Sequence, residues 1–199
     1  MLRKFYQKEV LEAGVDEAGR GCLAGPVFAA AVILDPSRRI PGINDSKKLN
    51  PEKRHTLRKK IESRALAYAV AQVSPIKIDE VNILNASFLA MHRAILELNV
   101  KPAMILVDGN RFNPLDGFSF KCIIKGDSKL QSIAAASILA KTYRDDYMET
   151  KHLDHPEYCW DSNKGYPTRA HRNAIAEFGI TDLHRKTFQL LPSEQLSIF

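Results

Sequence analysis

Val15-Asp16-Glu17-Ala18-Gly19-Arg20-Gly21 is followed, after Cys22-Leu23-Ala24, by Gly25-Pro26 and the apolar run Val27-Phe28-Ala29-Ala30-Ala31-Val32-Ile33-Leu34. Leu11 to Asp16 reads as a short apolar strand with two adjacent carboxylates at its end, and Val27 to Leu34 reads as a second, buried strand. Paired acids running into a glycine turn suit a metal site built from oxygen ligands. Gly19 and Gly21 have no Cβ, so a phosphate-bearing chain could approach the backbone there.

Working outward, Asn50 as N-cap, Pro51 at the first helical position and Glu52 in the first turn start a helix that runs to about Arg64. Ala65 to Val73 has strand character. A helix from about Asn85 to Asn99 places Leu84, Phe88, Met91, Ile95 and Leu98 on one face. Ala103 to Val107 is a continuous apolar run of strand length, ending at Asp108-Gly109. Phe118 to Ile124 is a further strand, ending at Lys125-Gly126-Asp127. A long helix from about Leu130 to about Lys151 begins small and apolar, which suits close packing on a sheet. Thr168 caps a last helix that Gly179 closes. Strands followed by alternating helices and strands imply an α/β architecture, a mixed central sheet flanked by helices. Periodicity alone does not choose among α/β folds.

At 199 residues the chain is expected to form a single domain, 1–199, with a tail from about 192 to 199. Hydrophobic content of 45% and charged content of 26% are those of an ordinary globular protein. A net charge of +6 is compatible with a polyanionic partner without requiring one. Cys22, Cys122 and Cys159 have no zinc-site spacing and imply a reducing compartment. The first eight residues are not backed by an apolar signal region, and Val27 to Leu34 is far too short to span a bilayer. The expectation is a cytoplasmic protein with no membrane association.

Three apolar strands thus end in acid: at Asp16-Glu17, at Asp108 and at Asp127. If those ends are neighbours, their mutual repulsion is relieved either by protonation or by divalent cations. All-oxygen ligands select Mg²⁺ or Mn²⁺, and Mg²⁺ favours carboxylates together with phosphate oxygens. Singly, Asp108-Gly109 is also a common turn and Asp127 also a helix cap. The adjacent pair Asp16-Glu17 has less structural excuse.

Asp16-Glu17-Ala18-Gly19-Arg20-Gly21 with Gly25-Pro26-Val27 resembles the opening signature of ribonuclease HII. The likeness continues in Asp45-Ser46-Lys47-Lys48-Leu49, in Val107-Asp108-Gly109, and in Lys125-Gly126-Asp127 through Ser132 to Lys141 and Arg144-Asp145. It extends to Gly165-Tyr166-Pro167-Thr168 with His171, and to His184-Arg185 with Phe188. The resemblance implies a ribonuclease H-like fold, here with a helical C-terminal extension. It implies an endoribonuclease that hydrolyses the RNA of RNA–DNA hybrids and nicks 5′ of single ribonucleotides in duplex DNA. Its role would lie in ribonucleotide removal and primer processing.

By the same resemblance, Asp16, Glu17, Asp108 and Asp127 are the catalytic metal ligands, holding two Mg²⁺ or Mn²⁺ ions, and the products carry 5′-phosphate and 3′-hydroxyl ends. Gly19, Arg20 and Gly21 contact the ribose, and Tyr166 lies against it. Ser46, Lys47 and Lys48 meet backbone phosphates. The plainer readings are a half-buried loop aromatic for Tyr166 and a solvated basic turn for the lysines. Asp145, His171 and His184 receive no chemical role, and helix-start or core positions suit the histidines. Gln195-Leu196-Ser197-Ile198-Phe199 resembles the short peptide that docks repair enzymes on the DNA sliding clamp; a tail folded back on its own domain is the alternative. Nothing demands a second subunit, so a monomer is expected. Other readings are a different nuclease or integrase on the same fold, a nucleotide-binding or kinase-like protein, and a non-catalytic nucleic-acid binder. The glycine turn matches neither the dinucleotide fingerprint nor the P-loop.

Overall fold

The computed structural model describes residues 2–192. Five strands, β1 (Glu12–Ala18), β2 (Val27–Leu34), β3 (Ala65–Val73), β4 (Met104–Asp108) and β5 (Phe120–Ile123), form one sheet in the order β3-β2-β1-β4-β5. The hairpin side, β1–β2–β3, is antiparallel, whereas β1–β4 and β4–β5 are parallel. Helices α1 (Pro51–Arg64), α2 (Pro75–Val81), α3 (Ile83–Leu96), α4 (Gln131–Asp154), α5 (Trp160–Asn163) and α6 (Arg169–Phe178) complete the fold. The expected mixed sheet flanked by helices, with further helices toward the C-terminus, is what forms.

Strand alternation sorts the two faces. Val15, Ala29, Ala31, Ile105 and Val107 are buried against Phe88, Met91, Ala94 and Ile95 of α3. Ala30 and Val32 lie on the other face, with Leu57 and Ile61 of α1 and with Ala134, Ala135, Ala136, Ile138, Leu139 and Ala140 of α4. Close packing of α4 is built into the sequence from both sides. A Cβ on Gly14 of β1 would stand 2.1 Å from the backbone carbon of Ser132, so the helix axis reaches the sheet only because that position is bare. A third cluster, Leu23, Ala24, Met148, Tyr158, Trp160, Ala174 and Ile175, ties the C-terminal helices to the β1–β2 loop.

Several boundaries move. β1 continues to Ala18 because its ladder with β2 goes on through Asp16–Ala30, Glu17–Ala29 and Ala18–Phe28, so the acid pair sits inside the strand and not beyond it. The helix expected from Asn85 begins at Ile83. It is preceded by α2, which Ser74 caps through the Lys77 amide with Pro75 in the first turn. β5 is shorter than expected, and α4 continues to Asp154. The candidate clamp peptide, Gln195 to Phe199, lies outside the described residues.

Candidate active site

β1 and β4 run in parallel, paired in register up to Val15–Val107. One residue further on each strand come Asp16 and Asp108, which alternation places on the α4 face of the sheet. Asp127 enters from a 3-10 turn, Gly126–Ser128, between β5 and α4. The turn is locked to β4 because the Gly126 amide donates to Asp108 Oδ1 at 2.6 Å. Carboxylate oxygens of Asp16, Asp108 and Asp127 lie within 4.8 Å of one another. Glu17, opposite in parity, lies at the same strand end and lines the same cleft, where its carboxylate takes Arg20 at 3.1 Å. The structure thus brings together three of the four acids singled out in the sequence, with Glu17 at their rim.

The electrostatics of the cluster favour binding of divalent cations. Burial first, then the charges of Glu17 and Asp108, raise the Asp16 pKa well above the usual carboxylate range. Burial also raises Glu17, against the pull of Arg20, and raises Asp108, against the hydrogen bond from Gly126. For Lys47, burial lowers the pKa, but Asp127, Asp16 and Asp45 outweigh it and raise it. Its amine lies 3.5 Å from Asp127 Oδ2. Crowded carboxylates that resist ionisation, offering only oxygen donors, are the donor set that suits Mg²⁺ or Mn²⁺.

The remaining sequence candidates divide. Gly19, Arg20, Gly21, Ser46, Lys47 and Tyr166 line the acid cleft, which has a volume of about 260 Å³, together with Arg54, Ser137 and Lys141. Ser46 is buried, and its hydroxyl meets that of Ser137 at 2.9 Å; Ser137, lining the same cleft, helps lower the Asp16 pKa against its burial. Lys48 points the other way, into a larger cleft of about 850 Å³ shared with Lys4, Arg38 and Arg39. Tyr166 is 38% exposed, with Lys141 and Arg144 against its ring at 5.4 and 5.8 Å.

Two residues of the site passed through the sequence reading without a role. Arg144 and Arg185 are both fully buried, and among the described residues neither forms an ion pair. Instead they donate to backbone carbonyls around the Gly19–Gly25 loop. Arg144 takes Pro26, Ala24 and Lys164, and Arg185 takes Gly19, Arg20 and Gly25. The loop is further laced to the C-terminal segment by amide bonds from Leu23 to Gly165, Gly25 to Leu183 and Arg185 to Leu23. The available signal was the spacing Ser137-Lys141-Arg144-Met148, which puts Arg144 on the same stripe of α4 as the buried Ser137.

A sequence profile described as Ribonuclease HII matches residues 13–191. The chain belongs to the ribonuclease HII family. Ribonuclease HII of Bacteroides thetaiotaomicron is 58% identical over 198 residues, covering 100% of this chain and 99% of that protein. Ribonuclease HII of Parabacteroides distasonis is likewise 58% identical over 198 residues, with the same coverage. Among solved structures, ribonuclease H2 of Pyrococcus horikoshii superposes with a TM-score of 0.75 at 29% identity, covering 90% of this chain and 94% of that one. A structure of the PCNA:RNase HII complex from Archaeoglobus fulgidus gives a TM-score of 0.78 at 28% identity, covering 96% of this chain and 100% of that one. The fold and the family together make this chain a metal-dependent endoribonuclease of the ribonuclease H type. No helix among the described residues is long and apolar enough to cross a membrane.

Proposed function

We propose that this ribonuclease HII family member hydrolyses the RNA strand of RNA–DNA hybrids and nicks 5′ of single ribonucleotides embedded in duplex DNA. The observation that carries the reading is the meeting of Asp16, Asp108 and Asp127 oxygens within 4.8 Å. With Glu17 at the rim, these residues would hold two divalent ions, Mg²⁺ or Mn²⁺. When bound, such ions acidify an attacking water and stabilise a leaving 3′-oxygen, which accounts for 5′-phosphate and 3′-hydroxyl products.

The chain's own groups supply the rest. Lys47 reaches toward Asp127 from the cleft edge, where it would meet a substrate phosphate; Lys48, on the neighbouring cleft, would meet one further along the duplex. Ser46, through Ser137, helps hold Asp16 in place. Discrimination against DNA requires contact with a 2′-hydroxyl, both donor and acceptor. Gly19, Arg20 and Gly21 offer backbone groups for it, and Tyr166 offers a phenol beside the same cleft. Support for reading these contacts as fixed comes from the two buried arginines that hold the loop's carbonyls. The chain is read as one catalytic domain, since the C-terminal helices share the cluster that covers the β1–β2 loop. A sliding clamp is a fitting partner, as the relative from Archaeoglobus fulgidus was solved with PCNA.

The deciding experiment uses a DNA duplex with one ribonucleotide, an RNA–DNA hybrid and an all-DNA duplex, each incubated with the protein and Mg²⁺. The expected result is a nick 5′ of the ribonucleotide with 5′-phosphate and 3′-hydroxyl ends, cutting within the hybrid, and an intact DNA duplex. Cleavage of the all-DNA duplex at a comparable rate would overturn the proposal in favour of a general nuclease on this fold.

A further inference from the structure

Away from the acids, His171 of α6 and His184 of the segment after it are enclosed, 0% and 1% exposed. Tyr158 and Trp160 wrap them, with rings stacked 5.0 Å apart. The two imidazoles face each other, Nε2 to Nε2, at 3.3 Å. The proton positions follow from the partners. An indole nitrogen only donates. Trp160 Nε1 lies 3.1 Å from His171 Nε2, so that nitrogen is an acceptor and the His171 proton sits on Nδ1. Nδ1 lies 3.0 Å from the carbonyl of Tyr166 and donates to it. On His184, Nδ1 accepts the Thr181 amide at 2.9 Å, so its proton sits on Nε2 and points at the bare Nε2 of His171. The two donors share the single lone pair of His171 Nε2, the indole more closely, and the output of this proton arrangement is a hydrogen bond from Nδ1–H to the Tyr166 carbonyl, which also takes the Thr168 amide at 2.8 Å.

That peptide links the buried histidine pair to the acid cleft. The preceding Gly165 has φ +79°, a conformation glycine adopts freely, with its own carbonyl bound to the Leu23 amide, and the Tyr166 side chain leaves this turn to line the cleft. We infer that His171 is a positioning residue for ribonucleotide recognition, its Nδ1–H fixing the Tyr166 peptide so that the phenol faces the sugar, while Trp160 and His184 hold His171 in the tautomer this requires. The inference rests on the assignment of Tyr166 to the ribose. Protonating His171 Nε2 would set a third donor against the indole and His184 N–H groups. Around the pair lie Arg172 beside His171 on α6, His155 beside Tyr158 and Trp160, and the phenol of Tyr158 itself, whose pKa burial raises; Arg172 and His155 oppose added positive charge. Burial, the largest effect, lowers both histidines, His184 to about 4. The network therefore stays neutral at ordinary pH and acts as a fixed support.

The test compares His171→Asn, whose amide can replace Nδ1–H, with His171→Gln, whose amide reaches only the Nε2 position. Cleavage of a duplex with one ribonucleotide is measured relative to cleavage of a uniform hybrid, and thermal unfolding is followed in parallel. His171→Gln should lose about fivefold in that ratio, the rate equivalent of one ordinary hydrogen bond, while His171→Asn keeps the parent ratio at similar stability. Equal ratios for Gln, Asn and parent would overturn the inference. Tyr166→Ala separates the two levels. If it shifts the ratio and His171→Gln does not, the ribose reading stands and His171 has no part in it; if Tyr166→Ala leaves the ratio alone, both fall. Should both His171 variants fail to fold, nitrogen NMR of the histidine-labelled parent decides. Nδ1–H on His171 with Nε2–H on His184 supports the inference, and any other pair of tautomers overturns it.

Discussion

Arg144 lies across Gly19, so close that a Cβ built on the glycine would stand 2.1 Å from Arg144 Nε. The arginine cannot swing aside cheaply, because its guanidinium is spent on the carbonyls of Pro26, Ala24 and Lys164. Gly19 also has φ +97°, where other residues are strained. Gly19→Ala should therefore cost about 1–3 kcal/mol of stability by urea denaturation, together with most of the cleavage activity. Gly21→Ala is the contrast, since nothing lies within 4 Å of a Cβ there. Its stability should stay within about 0.5 kcal/mol of the parent, leaving turnover at ribonucleotide junctions as the property that changes.

Asp108→Asn should abolish turnover yet leave the fold intact, and without divalent cation it should melt no lower than the parent. The reason is linkage. Asp16 and Asp108 have pKa values raised by burial and by neighbouring acids. A carboxylate whose folded pKa is raised stabilises the fold below its unfolded pKa, and that contribution is lost as pH rises through the folded value. At neutral pH the cation-free protein therefore carries an electrostatic penalty that Asn relieves. Mg²⁺ should raise the parent's melting temperature more at pH 7.5 than at pH 4.5, read by differential scanning fluorimetry with and without chelator. An equal rise at both pH values would count against a carboxylate site.

His184 titrates the other way. Its folded pKa, lowered to about 4, lies below the unfolded value near 6.5, so its contribution to stability is present above pH 6.5 and is lost as pH falls toward 4. The acid cluster gains stability as pH falls, so the histidine term has to be isolated as the difference between the parent and His184→Asn. That difference should shrink between pH 6.5 and pH 4. Trp160, the chain's sole tryptophan, sits against the pair and gives an independent fluorescence readout of the same transition.

Lys47→Ala should weaken binding to hybrids and to ribonucleotide-containing duplexes alike, and should lower the slope of log affinity against log salt by about one. The measurement is anisotropy with a labelled duplex in Ca²⁺ across a salt series. An unchanged slope would mean that the Lys47 amine serves only Asp127, 3.5 Å away.

Much of this architecture could be read in advance because it is encoded locally. Asn50-Pro51 and Thr168 with Gly179 mark helix ends through their own side chains and backbone, and both helices form where those signals lie. Ser74-Pro75 carries the same signal, but α2 is short, and Asn82 at φ +67° breaks the helical period before α3 begins. The acids were legible because each closes an apolar run, and the α4 face of Asp16 and Asp108 follows from strand parity. Arg144 and Arg185 were not legible as supports. A cation held by carbonyls far along the chain looks, in sequence, like any solvated arginine, and only the tertiary fold reveals what it holds. The histidine pair was legible as core, but its tautomers depend on Trp160 and Thr181 and belong to the folded protein alone.

Arg185 follows α6 in the chain, yet the carbonyls it binds are those of Gly19, Arg20 and Gly25, about 160 residues earlier. All five strands, and with them the acids at Asp16, Glu17, Asp108 and Asp127, precede Arg185 in the sequence. If the Gly19–Gly21 loop meets the ribose as proposed, removing the chain from Arg185 onward would leave every acid of the cluster in the polypeptide and take away a clamp on the backbone meant to recognise the sugar.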